Sequence, residues 1–344
     1  MYFGSSTYLT QLLQSFDYNQ VFALTDSNTV SFVKQIEALQ SLPKDRIITI
    51  EAGDCNKNIT SLQHIWTRLS CEGATRKALL INLGGGMITD IGGFAATTFK
   101  RGISFINIPT TLLSMIDASL GGKTGINFNG LKNEVGTFAN PVEVVIDTKW
   151  LKTLNSEQML SGYAEMLKHS LLQDKKHWAD ILNFDILNPD YEELEKIITE
   201  NIKVKEAIVY QDPHEQNLRK ALNLGHTLGH AFEEMTFDTT TPLLHGHAVA
   251  WGLVCALYIS CSMTNFDSSL MRQTMQFIRN NYKTPNIQCK DYDKILELIH
   301  HDKKNTKIDT FNFTLLQDIG QPLINQHPEK DLILESLDFI REGG

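Results

Sequence analysis

Ala78-Leu79-Leu80-Ile81-Asn82-Leu83-Gly84-Gly85-Gly86-Met87-Ile88-Thr89-Asp90-Ile91-Gly92-Gly93-Phe94 joins an apolar strand-type run to a cluster of glycines. The helical stretch Phe94 to Phe99 follows. Glycines let the chain turn tightly and bring backbone N–H groups close to a pyrophosphate, whose charge the following helix N-terminus favours. The spacing is not Gly-x-Gly-x-x-Gly, and the same cluster also suits a plain tight turn. Similar short runs flank it: Val21 to Leu24, Ile47 to Ile50, Ile103 to Ile106 and Val144 to Ile146. Strands separated by amphipathic stretches predict an α/β domain with a mainly parallel sheet, Rossmann-like in plan. From Leu151 onward the apolar positions fall at helical spacing, as in Tyr191 to Lys205 and Ala248 to Thr264, and strand-like runs nearly disappear. The expectation is an α/β domain over residues 1–148 and a helical domain over 149–344.

A chain of 344 residues exceeds the usual size of one core, so two domains fit its length. Its 42% hydrophobic and 21% charged residues are ordinary for a globular enzyme. A formal net charge of −9 argues against wrapping a nucleic acid, while a small anion needs only a local cationic cluster. Cys55, Cys71, Cys255, Cys261 and Cys289 are odd in number and lack Cys-x-x-Cys spacing, which suits a reducing cytoplasm rather than a disulfide scaffold or zinc ribbon. The N-terminus shows no secretory pattern. The longest apolar run, Ala248 to Ile259, is shorter than the roughly 18 residues of a spanning helix, so a buried core helix is expected and no membrane partner.

Chemistry-bearing residues gather in two places. Pro109-Thr110-Thr111-Leu112-Leu113-Ser114-Met115-Ile116-Asp117, Gly121-Gly122-Lys123-Thr124-Gly125 and Leu131-Lys132-Asn133 pack hydroxyl, carboxylate, ammonium and amide groups between glycines. The first glycine of a nucleoside-triphosphate loop is missing before Lys123. Further on, Arg219, Asn223, His226 and His230 recur at i, i+4, i+7 and i+11, one polar stripe if the segment is a single helix. With Glu165 upstream and His245 and His247 downstream, a carboxylate and two imidazoles are available for zinc, with an open position for substrate. Thr227 stands where a zinc peptidase would carry its Glu, so peptide hydrolysis loses its main support. Taken alone, the pair His226 and His230 also fits core histidines hydrogen-bonded to the backbone.

In order, GGGMITDIGGF, RG, PTTLLSMIDASLGGKTGIN, LKN, GYAEMLKH, DPHEQNLRKALNLGHTLGHAFE, LLHGHAVAWG and DKK resemble the 3-dehydroquinate synthase family of sugar-phosphate cyclases. The resemblance runs from about Asp26 to Lys304. It implies a Rossmann-like NAD domain, a helical zinc domain, a cleft between them and a homodimer. Glu165, His226 and His245 match the family's metal ligands, so the two opening histidines split in role and His230 matches a substrate contact. Asp26, Asn28, Asp54, Lys57, Gly85, Gly86, Met87, Asp90, Thr110, Thr111 and Thr153 match cofactor positions, with Asp117, Lys123 and Lys132 shared between cofactor and substrate. Asp54 replaces the family's usual Glu. Lys168, Lys205, Arg219 and Asn223 match catalytic positions, and Glu215 orients that network. Arg101, Lys132, Asn133, Lys303 and Lys304 match the substrate's anionic groups, Arg101 across a subunit interface. His247 departs from the family's common His-Gly-Glu and is either a competing ligand, a group behind the ligands, or a tolerated surface change.

The implied reaction converts 3-deoxy-D-arabino-heptulosonate 7-phosphate to 3-dehydroquinate: transient oxidation by NAD, phosphate elimination, re-reduction and an intramolecular aldol closure, with zinc, or cobalt in a similar N/O site, polarising a hydroxyl. Another sugar-phosphate cyclase is the nearest alternative. A metal-dependent dehydrogenase of glycerol dehydrogenase type shares the two-domain plan without needing the cationic phosphate site. A silent NAD-binding or zinc module would have no use for Lys168, Arg219, Asn223 and His230.

Overall fold

The alternating apolar runs of the first half become one parallel sheet. The computed structural model describes residues 2–3, 6–15, 17–237, 239, 242–300 and 311–343. They form two units, Met1–Leu154 and Asn155–Gly344. In the first, β1 (Tyr2–Phe3), α1 (Ser6–Ser15), β2 (Gln20–Asp26), β3 (Ile47–Ile50) and α2 (Ile59–Cys71) precede β4 (Ala78–Gly84) and α3 (Gly86–Thr98). After them come β5 (Ser104–Pro109), β6 (Lys123–Phe128), β7 (Leu131–Phe138) and β8 (Glu143–Ile146). The sheet order is β1-β8-β5-β4-β2-β3, with every pairing parallel. Each run read as a strand is a strand. β4 is buried along its whole length, which is why its sequence is continuously apolar instead of alternating. Leu62, Ile65 and Leu69 of α2 and Ile88, Ile91 and Ala95 of α3 close over Phe22, Leu24, Ile48 and Leu80. Each such aliphatic side chain contributes about 1.5–3 kcal/mol on burial.

The helix expected from Phe94 begins earlier, at Gly86, so the later glycines lie inside it. Gly92 is there because Asn82 lies directly beneath: a Cβ would stand 2.0 Å from Asn82 Oδ1. Asn82 in turn donates to Asn107 Oδ1 at 2.9 Å, tying β4 to β5. Gly92→Ala is therefore expected to destabilise the protein by about 1–3 kcal/mol, read as a lowered Tm, because α3 must lift off the sheet.

Two features were not foreseen. β6 and β7 form an antiparallel hairpin, turning at Asn129 (φ 49°) and Gly130 (φ 81°), in a stretch for which no strand had been read. The first unit also continues beyond the expected edge at residue 148. Asp147 caps a tight turn over Thr148–Thr153, and the buried Trp150 of that turn stacks on Phe32 with ring centroids 4.6 Å apart.

The second unit contains α4 (Ser156–Gln173), α5 (Lys175–Asn183), α6 (Tyr191–Gln211), α7 (His226–Thr236), α8 (His245–Thr264), α9 (Ser268–Asn281), α10 (Tyr292–His300), β9 (Phe313–Asp318), β10 (Gln321–Gln326) and α11 (Lys330–Glu342). Asn155, Asp174, Asp190 and Asp267 cap α4, α5, α6 and α9 through their side-chain oxygens, so short polar residues mark where these helices start. α8 packs against α4, α7, α9, α11 and β9. By length and composition it is apolar enough to cross a membrane, but 78% of its apolar window is buried within the protein. It is the expected core helix. The β9–β10 hairpin departs from the all-helical reading. Four successive buried residues, Phe313 to Leu316, lack the alternation that separates a strand from a buried helix.

Candidate functional site

In the second unit the polar stripe is broken. Leu218–Asn223 is a short tight helix, Gly225 takes a left-handed φ of 77°, and α7 starts only at His226. Arg219 and Asn223 thus sit on a separate turn from the two histidines. Asp212 organises that turn, accepting backbone N–H groups from Gln216 (3.0 Å), Asn217 (2.7 Å) and Arg219 (3.1 Å). Arg219 is buried and donates to the Pro213 carbonyl at 2.6 Å, while Asn223 donates to Glu215 Oε1 at 2.8 Å. Asn223 belongs to the group that Glu215 was expected to orient.

Three helices bring the candidate ligands together. Glu165 of α4 is fully buried, and its Oε1 lies 3.2 Å from His226 Nε2 and 3.4 Å from His245 Nε2. Lys168, one turn along α4, is in ion-pair contact with Oε2. Among the described residues, neither carboxylate oxygen has an aligned hydrogen-bond donor. The outward nitrogens, by contrast, are engaged: His226 Nδ1 donates to the Leu224 carbonyl at 3.1 Å, and His245 Nδ1 lies 3.1 Å from Glu233 Oε2. Imidazoles held at Nδ1 present Nε2 inward, the arrangement found behind metal-bound histidine. One oxygen and two nitrogens converging without a satisfactory hydrogen bond among them fit a divalent cation of zinc type. His230, exposed on α7, also brings a ring nitrogen within 4.8 Å of those of His226 and His245. His247 turns elsewhere. It is buried, with Nε2 3.0 Å from the Glu157 carbonyl, so it is neither a ligand of this cluster nor a surface residue.

The electrostatics of the cluster are asymmetric. Burial raises the cost of a charged Glu165, but the Lys168 ammonium and then His226 hold its carboxyl well below the usual range. Burial, followed by Lys168, pushes His226 down to about 4, leaving a neutral ring with a lone pair to give. For His245 burial acts the same way, but Glu233 and Glu165 more than offset it and raise the ring to about 10. The rings differ because only His245 has a second carboxylate. Near neutral pH a cation must displace the His245 proton. Metal uptake is therefore expected to release about one proton per site and to tighten about tenfold per pH unit on approach to pH 10. Titration of the metal-free protein in weakly buffered indicator solution measures the proton directly.

In the first unit the hairpin draws together residues far apart in sequence. Lys57, 5% exposed, donates to Asp90 Oδ2 at 3.0 Å and to Asn133 Oδ1, with Asp54 Oδ1 3.6 Å away. Lys132 Nζ is 3.2 Å from Asp54 Oδ2. Burial works against both charges, yet Asp90 and Asp54 keep Lys57 protonated, and Lys57 and Lys132 keep Asp54 ionised. Asn127 had not been singled out, yet it binds both sides: it donates to Asp54 Oδ2 at 3.2 Å and accepts from the Asn133 N–H at 3.0 Å.

Gly85 and Gly86 open α3, where the first-turn N–H groups have no intrahelical acceptor. A Cβ there would stand 3.1 Å from Thr111 Cγ2 or 3.0 Å from Ala118 Cβ, so any side chain at this turn would have to push those neighbours back by a few tenths of an ångström. Met87 lies in the same turn. Thr110 donates its N–H to the Gly84 carbonyl, and the Thr111 hydroxyl contacts Ser114 Oγ at 2.9 Å at the start of the wide turn Ser114–Ala118, which carries Asp117. These glycines and hydroxyls beside a helix N-terminus fit a dinucleotide's phosphates.

The remaining candidates are more dispersed. Asp26 ends β2 and spends Oδ1 on the N–H groups of Asn28 and Thr29, both at 2.9 Å, a turn-capping role. Lys123 is exposed at the start of β6, and Arg101 is exposed with a left-handed φ of 65°. The Thr153 hydroxyl donates to the Trp150 carbonyl at 2.7 Å. Lys205 is buried on α6. Lys303 and Lys304 lie outside the described residues. Glu233 had also been missed, although it follows His226 by two helical turns and so faces the same way. Asn127 left no such signal, because its role depends on the hairpin register.

The family model described as 3-dehydroquinate synthase N-terminal matches residues 47–161, and its C-terminal counterpart matches 162–305. The 3-dehydroquinate synthase of Parabacteroides distasonis is 51% identical over 339 residues, covering 97% of this chain and 95% of its own. That of Clostridium tetani is 33% identical over 345 residues, covering 96% and 90%. Among solved structures, a 2-deoxy-scyllo-inosose synthase complexed with carbaglucose-6-phosphate, NAD+ and Co2+ is similar with a TM-score of 0.84 at 25% identity, covering 99% of this chain and 96% of that one. A probable glycerol dehydrogenase from Sinorhizobium meliloti, at 14% identity and a TM-score of 0.63, shares the fold.

Proposed function

The chain belongs to the 3-dehydroquinate synthase family, and from that premise we propose that it converts 3-deoxy-D-arabino-heptulosonate 7-phosphate to 3-dehydroquinate and phosphate in the shikimate pathway. It acts as an NAD- and zinc-dependent carbon–oxygen lyase, with cobalt able to replace zinc. The observation that carries this reading is the inward convergence of Glu165 Oε1, His226 Nε2 and His245 Nε2, with both outer nitrogens already held. These three residues hold the cation. His230, exposed beside them, takes the role of substrate contact.

When bound, NAD takes up and returns one hydride and the cation polarises substrate oxygens, so the reaction ends without net redox change. The chain's own residues bind and orient. Lys168, Lys205 and Arg219 bring positive charge to a carboxylate- and phosphate-bearing substrate from buried positions, where charge acts most strongly. Asn223, steadied by Glu215, and His230 hydrogen-bond substrate hydroxyls. Lys123, Lys132, Asn133 and Asp117 of the first unit, Arg101 of a second copy, and Lys303 and Lys304 are the remaining substrate-contact assignments, each carried by its match to the family's motifs. The first unit holds NAD through Asp26, Asn28, Asp54, Lys57, Gly85, Gly86, Met87, Asp90, Thr110, Thr111 and Thr153. No single side chain is assigned as the base for elimination, because the substrate phosphate itself can take the proton.

Lys57→Met removes the ammonium that joins Asp54, Asp90 and Asn133. NAD+ affinity is expected to fall about tenfold or more, as measured by calorimetry, because two carboxylates then face the dinucleotide without their counter-ion. The protein also acts as a homodimer in the cytoplasm. Phe128, Leu131 and Val135 on one face of the β6–β7 hairpin are exposed by between 39% and 47%, apolar surface suited to a second copy, and five free cysteines suit a reducing compartment.

The decisive assay supplies the full-length protein with NAD+, Zn2+ and the heptulosonate phosphate. Phosphate release and dehydroquinate formation with no standing NADH are expected, with loss of turnover on chelation. Stoichiometric NADH would instead identify a dehydrogenase. Phosphate release with another carbocycle would identify a different cyclase.

A further inference from the structure

α8 opens with His245-Gly246-His247, and these three residues look in different directions. Two residues along a helix rotate a side chain by about 200°, so His247 faces away from the cluster that His245 joins. Its Nε2 donates to the Glu157 carbonyl at 3.0 Å, in the first turn of α4, and only 7% of the residue is exposed. Between the two histidines, the Gly246 N–H donates to Ser161 Oγ at 3.1 Å. A Cβ at Gly246 would lie 1.8 Å from the Ser161 carbonyl oxygen, so the two helices meet main chain to main chain. Tyr282 stands edge-on to His247, ring centroids 5.2 Å apart, and donates its hydroxyl to the Leu160 carbonyl at 2.9 Å. Glu157, Leu160 and Ser161 of α4 thus grip the start of α8. Glu165 follows one turn later on α4, and His245 immediately precedes Gly246.

We infer that His247 is a positioning residue for the metal site: by tying the first turn of α8 to the first turn of α4, it fixes where His245 Nε2 stands relative to Glu165 Oε1. It sets metal affinity without touching the metal. The inference rests on Glu165, His226 and His245 being the ligands. A carboxylate cannot donate to the Glu157 carbonyl, so this chain's link differs in kind from any that a Glu makes at position 247.

The test measures zinc affinity by chelator competition, and the visible spectrum of the cobalt form, on full-length protein. His247→Ala is expected to weaken zinc binding by about tenfold or more while keeping the shape of the cobalt spectrum, since the ligands are unchanged. His247→Gln, whose amide can donate to the same carbonyl, should stay near the parent, and His247→Glu should fall with alanine. Should His247→Ala fold poorly, Ser161→Ala removes the acceptor for the Gly246 N–H and is expected to weaken binding in the same direction. Parent-like affinity in His247→Ala overturns the inference, as does a glutamine variant no better than alanine. A cobalt spectrum that loses a nitrogen ligand in His247→Ala overturns it too, by making His247 a ligand. If the parent protein itself retains no stoichiometric metal, the reading of the ligands has failed instead.

Discussion

Glu165→Ala is expected to yield protein that retains no stoichiometric zinc and turns over at least about a thousandfold more slowly than the parent. The carboxylate supplies the only anionic atom among the three converging donors, and two imidazoles alone make a weak site. A second loss accompanies the first, because Lys168 gives up its ion-pair partner at a position 1% exposed. Breaking a buried pair from one side costs about 3–5 kcal/mol, so a lowered Tm should appear even in metal-free protein. Metal analysis by mass spectrometry, phosphate-release kinetics and thermal melts separate these effects. Full turnover in metal-free Glu165→Ala would remove the cation from the reaction. Glu165→Gln keeps the volume and loses the charge, and its metal content should lie between the two.

Gly252→Ala is expected to be comparably severe although Gly252 is not among the proposed ligands. A Cβ at Gly252 would stand 1.9 Å from the Gly225 carbonyl oxygen and 2.8 Å from the Gly229 nitrogen, both main-chain atoms that cannot rotate aside. α7 must therefore move, taking His226 and His230 with it. Overpacking of this kind costs about 1–3 kcal/mol, and a displacement near 1 Å in a catalytic group costs about a hundredfold in rate. A fall in kcat/KM larger than the loss in stability explains is the expected result. Parent-like kinetics with an unchanged Tm would show that α7 and α8 adjust without disturbing the rings. Met263→Ala, an exposed site on the same helix, provides the control and should change neither quantity.

The parallel strands were legible because β-branched runs such as Ile47 to Ile50 stand apart from the amphipathic segments between them. Both hairpins were hidden for opposite reasons. β7 is exposed along most of its length and mixes Lys132, Asn133 and Glu134 with Leu131 and Val135, so no period emerges. β9 is so buried that its period is lost. The histidines that converge on Glu165 stood out through their motif, but a single continuous helix carrying them with Arg219 was not correct. Gly225 resets the chain direction just before His226, a decision made by its contact with Gly252 far along the sequence. His247 was ambiguous for the same reason: which way a side chain looks from a helix depends on what that helix rests against, here α4.

The close backbone approaches at Gly246 and Gly252 have a consequence for how the enzyme is loaded. Helices already in register through peptide groups need no ion to assemble them, so Glu165, His226 and His245 are expected to hold their places before a cation arrives. Stripping the cation should leave a folded receptor. Activity is then recoverable by simple reconstitution, with different divalent ions exchanged through one scaffold at no cost in refolding.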